Sequence, residues 1–231
     1  MNQSIQSRLE SVRSKINRAV SDYARAENSV LLLAVSKTRT PDEITAAFNC
    51  GQTCFGESYL QEALNKIDHL RDKAIEWHFI GKVQSNKTKS IAENFDWVHS
   101  VDKLKHAQRL NDQRPDSKAP LNICLQINID SEETKGGIKP EEAADLIQQI
   151  CKLPRLQLKG LMALPTPAQD LDAQRVPFRK LRELRDRLAT DDLPLETLSM
   201  GMSGDIEAAI AEGSTMVRVG TAIFGPRNYK Q

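Results

Sequence analysis

The stretch Val30-Leu31-Leu32-Leu33-Ala34-Val35-Ser36-Lys37-Thr38-Arg39-Thr40-Pro41 decides the fold. Six apolar residues, the length of a strand, run into a short polar turn. Pro41 then opens a helical pattern over residues 41–49, and proline suits the first turn of a helix. A doubly wound nucleotide-binding sheet usually carries a glycine-rich turn after its first strand. The turn here, Ser36 to Thr40, has no glycine, so the pattern favours a (β/α)8 barrel.

The rest of the chain repeats the unit. Strand-like runs are expected at 53–55, 76–80, 97–101, 121–129, 156–163, 195–199 and 216–219. Helical periodicity lies between them at 59–71, 87–94, 103–111, 141–151, 178–188 and 205–211. Ahead of the first strand, Ile5, Leu9, Val12, Ile16, Val20 and Tyr23 form one apolar stripe at steps of three and four, an extra N-terminal helix. Residues 164–177, with their prolines, read as a long loop. Eight strands alternating with helices imply a mainly parallel sheet, and 231 residues divide into roughly 29 per unit, as a single-domain TIM barrel spanning 1–231 requires.

Composition excludes more than it identifies. The 32 Lys+Arg balance 31 Asp+Glu, so the large basic excess of a nucleic-acid-binding surface is missing. The longest strictly apolar run, Val30 to Val35, falls far short of the roughly 20 residues of a membrane helix. The first residues are polar and carry no apolar signal core. The four cysteines, Cys50, Cys54, Cys124 and Cys151, are too few for a disulfide scaffold, and their spacing matches neither a redox nor a zinc motif. A cytoplasmic protein with reduced thiols is expected, with no nucleic-acid or membrane partner.

A barrel's chemistry sits at the C-terminal ends of its strands. Lys37 ends an apolar run there, where partial desolvation favours the neutral amine that attacks carbonyls. The alternative is a strand-end lysine that reaches solvent. Glycine-bearing turns follow the last two strands: Met202-Ser203-Gly204 before a short helix, and Gly220-Thr221. Such turns bind phosphate in many barrels, and equally they serve as ordinary caps and turns. Arg218 stands inside the apolar run 216–219 and needs a partner, either a protein carboxylate or a ligand. His78 and His99 read as core or rim histidines without a metal-binding pattern. Glu57, Glu76, Asp205 and Glu207 form no recognisable acid–base pair. The basic face Arg179, Lys180, Arg182, Arg185 and Arg187 reads as solvated.

The strings Ala34-Val35-Ser36-Lys37-Thr38, Phe55-Gly56-Glu57-Ser58-Tyr59, His78-Phe79-Ile80-Gly81 with Gln84-Ser85-Asn86-Lys87, Gly201-Met202-Ser203 with Asp205, and Val217-Arg218-Val219-Gly220-Thr221 resemble the pyridoxal phosphate homeostasis protein family. Members of that family look like the barrel domain of alanine racemase standing alone. The resemblance covers nearly the whole chain. It implies pyridoxal 5'-phosphate held as a Schiff base on Lys37. The phosphate would sit on Ser203, Gly220 and Thr221, with Arg218 near the pyridine nitrogen and Ser58 and Met202 also among the cofactor-binding residues. Two positions depart from the family pattern: Ser58 stands where asparagine is usual, and Arg39 where lysine is common.

The function so implied is a carrier or buffer of pyridoxal phosphate that maintains vitamin B6 homeostasis and passes the cofactor to apo-enzymes. It would have no catalytic residues of its own and would affect amino-acid and keto-acid metabolism only indirectly. The alternatives are a weak amino-acid racemase, or a class I aldolase that uses Lys37 without cofactor. The racemase it resembles needs a second domain and a tyrosine base. Residues 222–231 offer only Tyr229, so a non-catalytic monomer is the expectation.

Overall fold

The computed structural model describes residues 4–130, 132 and 135–226. Tyr229 lies outside them. Eight parallel strands close into a barrel: β1 (Leu31–Val35), β2 (Cys54–Glu57), β3 (Glu76–Phe79), β4 (Trp97–Val101), β5 (Leu121–Ile127), β6 (Leu156–Ala163), β7 (Thr197–Ser199) and β8 (Met216–Val219). β8 returns to β1 in register, with Leu31 opposite Met216 and Ala34 opposite Val219. The helices between strands are α2 (Pro41–Asn49), α3 (Leu60–His69), α4 (Thr88–Asn94), α5 (Leu104–Gln113), α6 (Ala143–Ile150), α7 (Leu171–Leu188) and α8 (Ile206–Ala211). The expected N-terminal helix is α1 (Ile5–Asp22), and a single turn, α9 (Thr221–Phe224), follows β8.

Local chemistry sets the boundaries that matter for the site. A capping box starts α2. The Thr40 hydroxyl accepts from the Glu43 N–H at 3.2 Å, while Glu43 accepts from the Thr40 N–H at 2.8 Å and Pro41 takes the first turn. α1 buries Leu9, Val12, Ile16, Ala19 and Val20 and packs on α2, α8 and α9. Each large apolar side chain so buried contributes about 1.5–3 kcal/mol. Phe55, Trp77, Phe79, Phe95 and Phe178 are among the apolar side chains buried in the core.

Three expectations are corrected. Helix α7 begins at Leu171, so the second half of residues 164–177 is helix and not loop. The Asp170 carboxylate caps it by accepting from the Ala173 N–H at 2.8 Å, and Pro177 lies inside the helix. β7 begins only at Thr197, because Leu195 adopts a left-handed backbone with φ of 46°. The basic face of α7 is not simply solvated: Arg179 and Arg182, with Arg175, converge on the buried carboxylate of Glu212 at 2.8–3.2 Å.

Candidate functional site

A cleft of about 290 Å³ opens at the C-terminal ends of the strands. Its wall includes Lys37 and Val35 from the end of β1, Ser58 after β2 and Ile80 after β3. Met162 and Leu164 come from β6 and just beyond it. Met202, Ser203 and Gly204 follow β7, and Arg218, Gly220 and Thr221 come from β8 and its end. All seven residues singled out from the sequence, Lys37, Ser58, Met202, Ser203, Arg218, Gly220 and Thr221, therefore meet in one cavity. Gly204, in the glycine-bearing turn expected after β7, joins them, whereas Val35, Ile80, Met162 and Leu164 were not foreseen. These four form an apolar wall, and their positions at strand ends are the signal that could have found them.

The turn that carries Lys37 is clamped from both sides. Ser36, fully buried, donates its backbone N–H to Gly56 at 3.0 Å and its hydroxyl to Glu57 at 2.6 Å. The Lys66 ammonium, delivered by α3, donates to the Ser36 carbonyl and to Glu57 at 2.8 Å each, and also to Glu62. Glu62 in turn accepts from the Thr38 N–H at 2.6 Å, at a residue with φ of 66°. Glu57 and Lys66 are thus a buried ion pair in the layer between barrel and helix. Burial pushes the Glu57 carboxyl up, with the Lys66 charge and hydrogen bond opposing it. Glu57 supports the site from behind and does not line it.

Arg218 is 4% exposed and is held by two bonds, from Nη1 to the Ser199 hydroxyl at 2.7 Å and from Nη2 to the Ala163 carbonyl at 2.9 Å. Its partners are therefore uncharged. Burial lowers its pKa to about 10, so it stays protonated at neutral pH. Asp205 does not cap α8 with its side chain; its carboxylate accepts from the Met202 N–H at 2.5 Å and so ties down the turn after β7. Gly201, at φ of 98°, makes that turn possible, and its carbonyl accepts from the Arg218 N–H at 2.9 Å. A Cβ at Gly220 would lie 3.1 Å from the Val35 carbonyl, so glycine there lets the turn after β8 lie close to β1.

The two histidines are core and not rim groups, and they are hydrogen-bonded to each other. His78 Nδ1 lies 2.9 Å from His99 Nε2, and His99 Nδ1 lies 2.8 Å from the Ser199 hydroxyl. Both rings are buried, with His78 stacked on Trp97 at 5.4 Å. At the N-terminal end of the barrel, ligand atoms of Cys54, Glu76 and His78 fall within 4.8 Å of one another. No sequence spacing announced this group, because its members start two different strands.

The alanine racemase N-terminal domain family matches residues 9–228. The chain is 50% identical over 231 residues to the pyridoxal phosphate homeostasis protein of Pasteurella multocida, covering 98% of this chain and 99% of the relative. The chain belongs to the pyridoxal phosphate homeostasis protein family. Among solved structures, PipY of Synechococcus elongatus PCC7942 has been determined both without and with PLP. The PLP-bound form superposes with a TM-score of 0.82 at 34% identity, over 96% of this chain and 100% of PipY. An alanine racemase of Clostridium difficile shares the fold, with a TM-score of 0.72 at 14% identity over 57% of its own length. Among the described residues, no helix is long and apolar enough to cross a membrane, and the four cysteines are free.

Proposed function

We propose that this chain binds pyridoxal 5'-phosphate in the cleft and carries it for vitamin B6 homeostasis, without turning over a substrate. The observation that carries this reading is the meeting of Lys37, Arg218 and two hydroxyl-bearing turns in one cavity. The names of the relatives and the PLP-bound form of PipY support the choice of ligand.

When bound, the cofactor supplies an aldehyde that a lysine amine takes reversibly as a Schiff base, and a pyridine ring that can withdraw electrons. Lys37, on a turn fixed by Ser36 and Thr38, is the amine. Ser203 and Thr221 offer exposed hydroxyls for the phosphate, and the space beside Gly204 is open, with nothing within 4 Å of where a Cβ would stand. Gly220 keeps the turn after β8 close to β1, and Met202 and Ser58 line the cleft where the cofactor would be held. Ser58 offers a hydroxyl to the cleft. Val35, Ile80, Met162 and Leu164 exclude water from one side.

Arg218 tunes the ring toward holding, but does not by itself exclude catalysis. A guanidinium only donates, so beside the pyridine nitrogen it keeps that nitrogen unprotonated and the ring a poor electron sink. On this reading the protein retains the aldehyde and gives it up to apo-enzymes. We take it to act as a single-domain cytoplasmic monomer, in keeping with the closed barrel and free thiols.

Borohydride reduction of cofactor-loaded protein, followed by peptide mass mapping, tests the reading. A phosphopyridoxyl adduct on Lys37 is expected; an unmodified Lys37 refutes the reading. Sustained exchange of the α-proton of alanine with solvent deuterium would instead establish a racemase.

A further inference from the structure

The polar residues inside the barrel form one continuous chain from the cleft to the opposite mouth. Arg218 donates to Ser199, Ser199 meets His99 at 2.8 Å, His99 meets His78 at 2.9 Å, and His78 Nε2 meets Glu76 at 2.8 Å. β4 and β7 are not neighbours in the barrel, so the His99–Ser199 bond crosses its interior. Glu76 begins β3, at the end remote from the cleft, and its side chain is 44% exposed.

The two ends of this chain have opposite and fixed characters. A protonated Arg218 can only donate, and an ionised Glu76 can only accept. Both histidines are buried, which disfavours their charged forms, so each carries a single ring proton. From Glu76 the assignment then follows without a choice. His78 must carry its proton on Nε2 to meet the carboxylate, which leaves Nδ1 to accept from His99 Nε2–H. His99 Nδ1 accepts from the Ser199 hydroxyl, whose oxygen accepts from Arg218. Every donor in the chain has an acceptor, and all bonds run in one direction.

We propose that Glu76 is a positioning residue: from the far mouth of the barrel it fixes the tautomers of His78 and His99 and, through Ser199, the orientation in which Arg218 faces the cleft. The link to the cofactor rests on the preceding reading of Arg218; the proton assignment does not. This arrangement also accounts for the Cys54–Glu76–His78 group. The position between Glu76 and His78 is filled by the Nε2 proton, and a metal ion bound there would have to remove it and reverse the chain.

Nitrogen-15 NMR of histidine-labelled protein without cofactor reads the tautomers directly, with His78→Asn and His99→Asn variants supplying the assignments. Both rings are expected neutral and Nε2-protonated at neutral pH. Glu76→Ala removes the terminal acceptor, and mixed tautomers are expected. Glu76→Gln retains an acceptor oxygen and is expected to restore the wild-type pattern. Cofactor binding should weaken about fivefold in Glu76→Ala, the effect of one net hydrogen bond, and recover in Glu76→Gln. Because Glu76 is half exposed, both variants are expected to fold, and circular dichroism checks that they do. An Nδ1-protonated His99 in the wild type, unchanged tautomers or unchanged cofactor affinity in Glu76→Ala, or displacement of the His78 proton by stoichiometric Zn²⁺ would each overturn the proposal. If the tautomers behave as stated but no form binds pyridoxal phosphate, the ligand assigned to the cleft fails, while the fixed direction of the chain stands.

Discussion

Replacing Lys66 by methionine isolates the clamp behind Lys37. Glu57 is fully buried and Lys66 4% exposed at the side chain, and the ammonium also satisfies the Ser36 carbonyl and Glu62. Methionine fills similar space and leaves the Glu57 carboxylate buried with only the Ser36 hydroxyl, since its second oxygen has no hydrogen-bond partner among the described residues. Removing one partner of a buried pair costs about 3–5 kcal/mol. The cost depends on pH in a definite direction. Glu57 already has a raised pKa in the folded protein, and losing Lys66 raises it further. A group whose folded pKa lies above its unfolded value contributes stability at low pH and loses it as pH rises through the folded value. Urea denaturation of Lys66→Met should therefore show nearly the full deficit at about pH 8 and a smaller one at about pH 5, where the carboxyl takes a proton. The double variant Lys66→Met/Glu57→Gln, with no buried charge, should recover most of the loss and flatten the pH dependence. A single variant as stable as the wild type at the higher pH, or one whose deficit does not change with pH, would refute this account of the clamp.

Two further outcomes follow from the charged residues. Arg218→Glu replaces the donor facing the cleft by an acceptor, and cofactor titration followed by absorbance should show at least about tenfold weaker binding, the scale of one charge-assisted hydrogen bond, with an altered spectrum. Glu212→Gln leaves Arg175, Arg179 and Arg182 without their shared carboxylate and should cost about 1–3 kcal/mol in urea denaturation at neutral pH. Burial pushes the Glu212 carboxyl up, but the hydrogen bonds and charges of Arg179 and Arg175 outweigh it and hold its pKa down. Its contribution is therefore lost as pH falls, and the variant should approach the wild type in acid.

The barrel was legible because parallel strands covered on both sides read as short apolar runs at regular spacing. Lys37 was legible for a related reason: a charge that ends such a run stands out. The helix around Pro177 was misread because proline normally interrupts a helix, whereas Asp170 caps this one upstream and carries it through. The reach of Arg175, Arg179 and Arg182 to Glu212 was hidden by periodicity, which shows a charged face but not what faces it.

The interior chain was illegible for a deeper reason. His78 and His99 are 21 residues apart, His99 and Ser199 are 100 apart, and their contacts exist only once the barrel has closed. Taken singly, each is a polar residue in an apolar strand and would be costly to bury. Taken together, they satisfy one another, and the cost of each depends on the presence of the rest. Removing any one strands a buried donor or acceptor on each side of it, so single substitutions should cost more than a joint replacement by apolar residues of matching volume. That non-additivity ties stability to the site: the groups that satisfy one another inside the barrel are the same ones that hold Arg218 at the cleft.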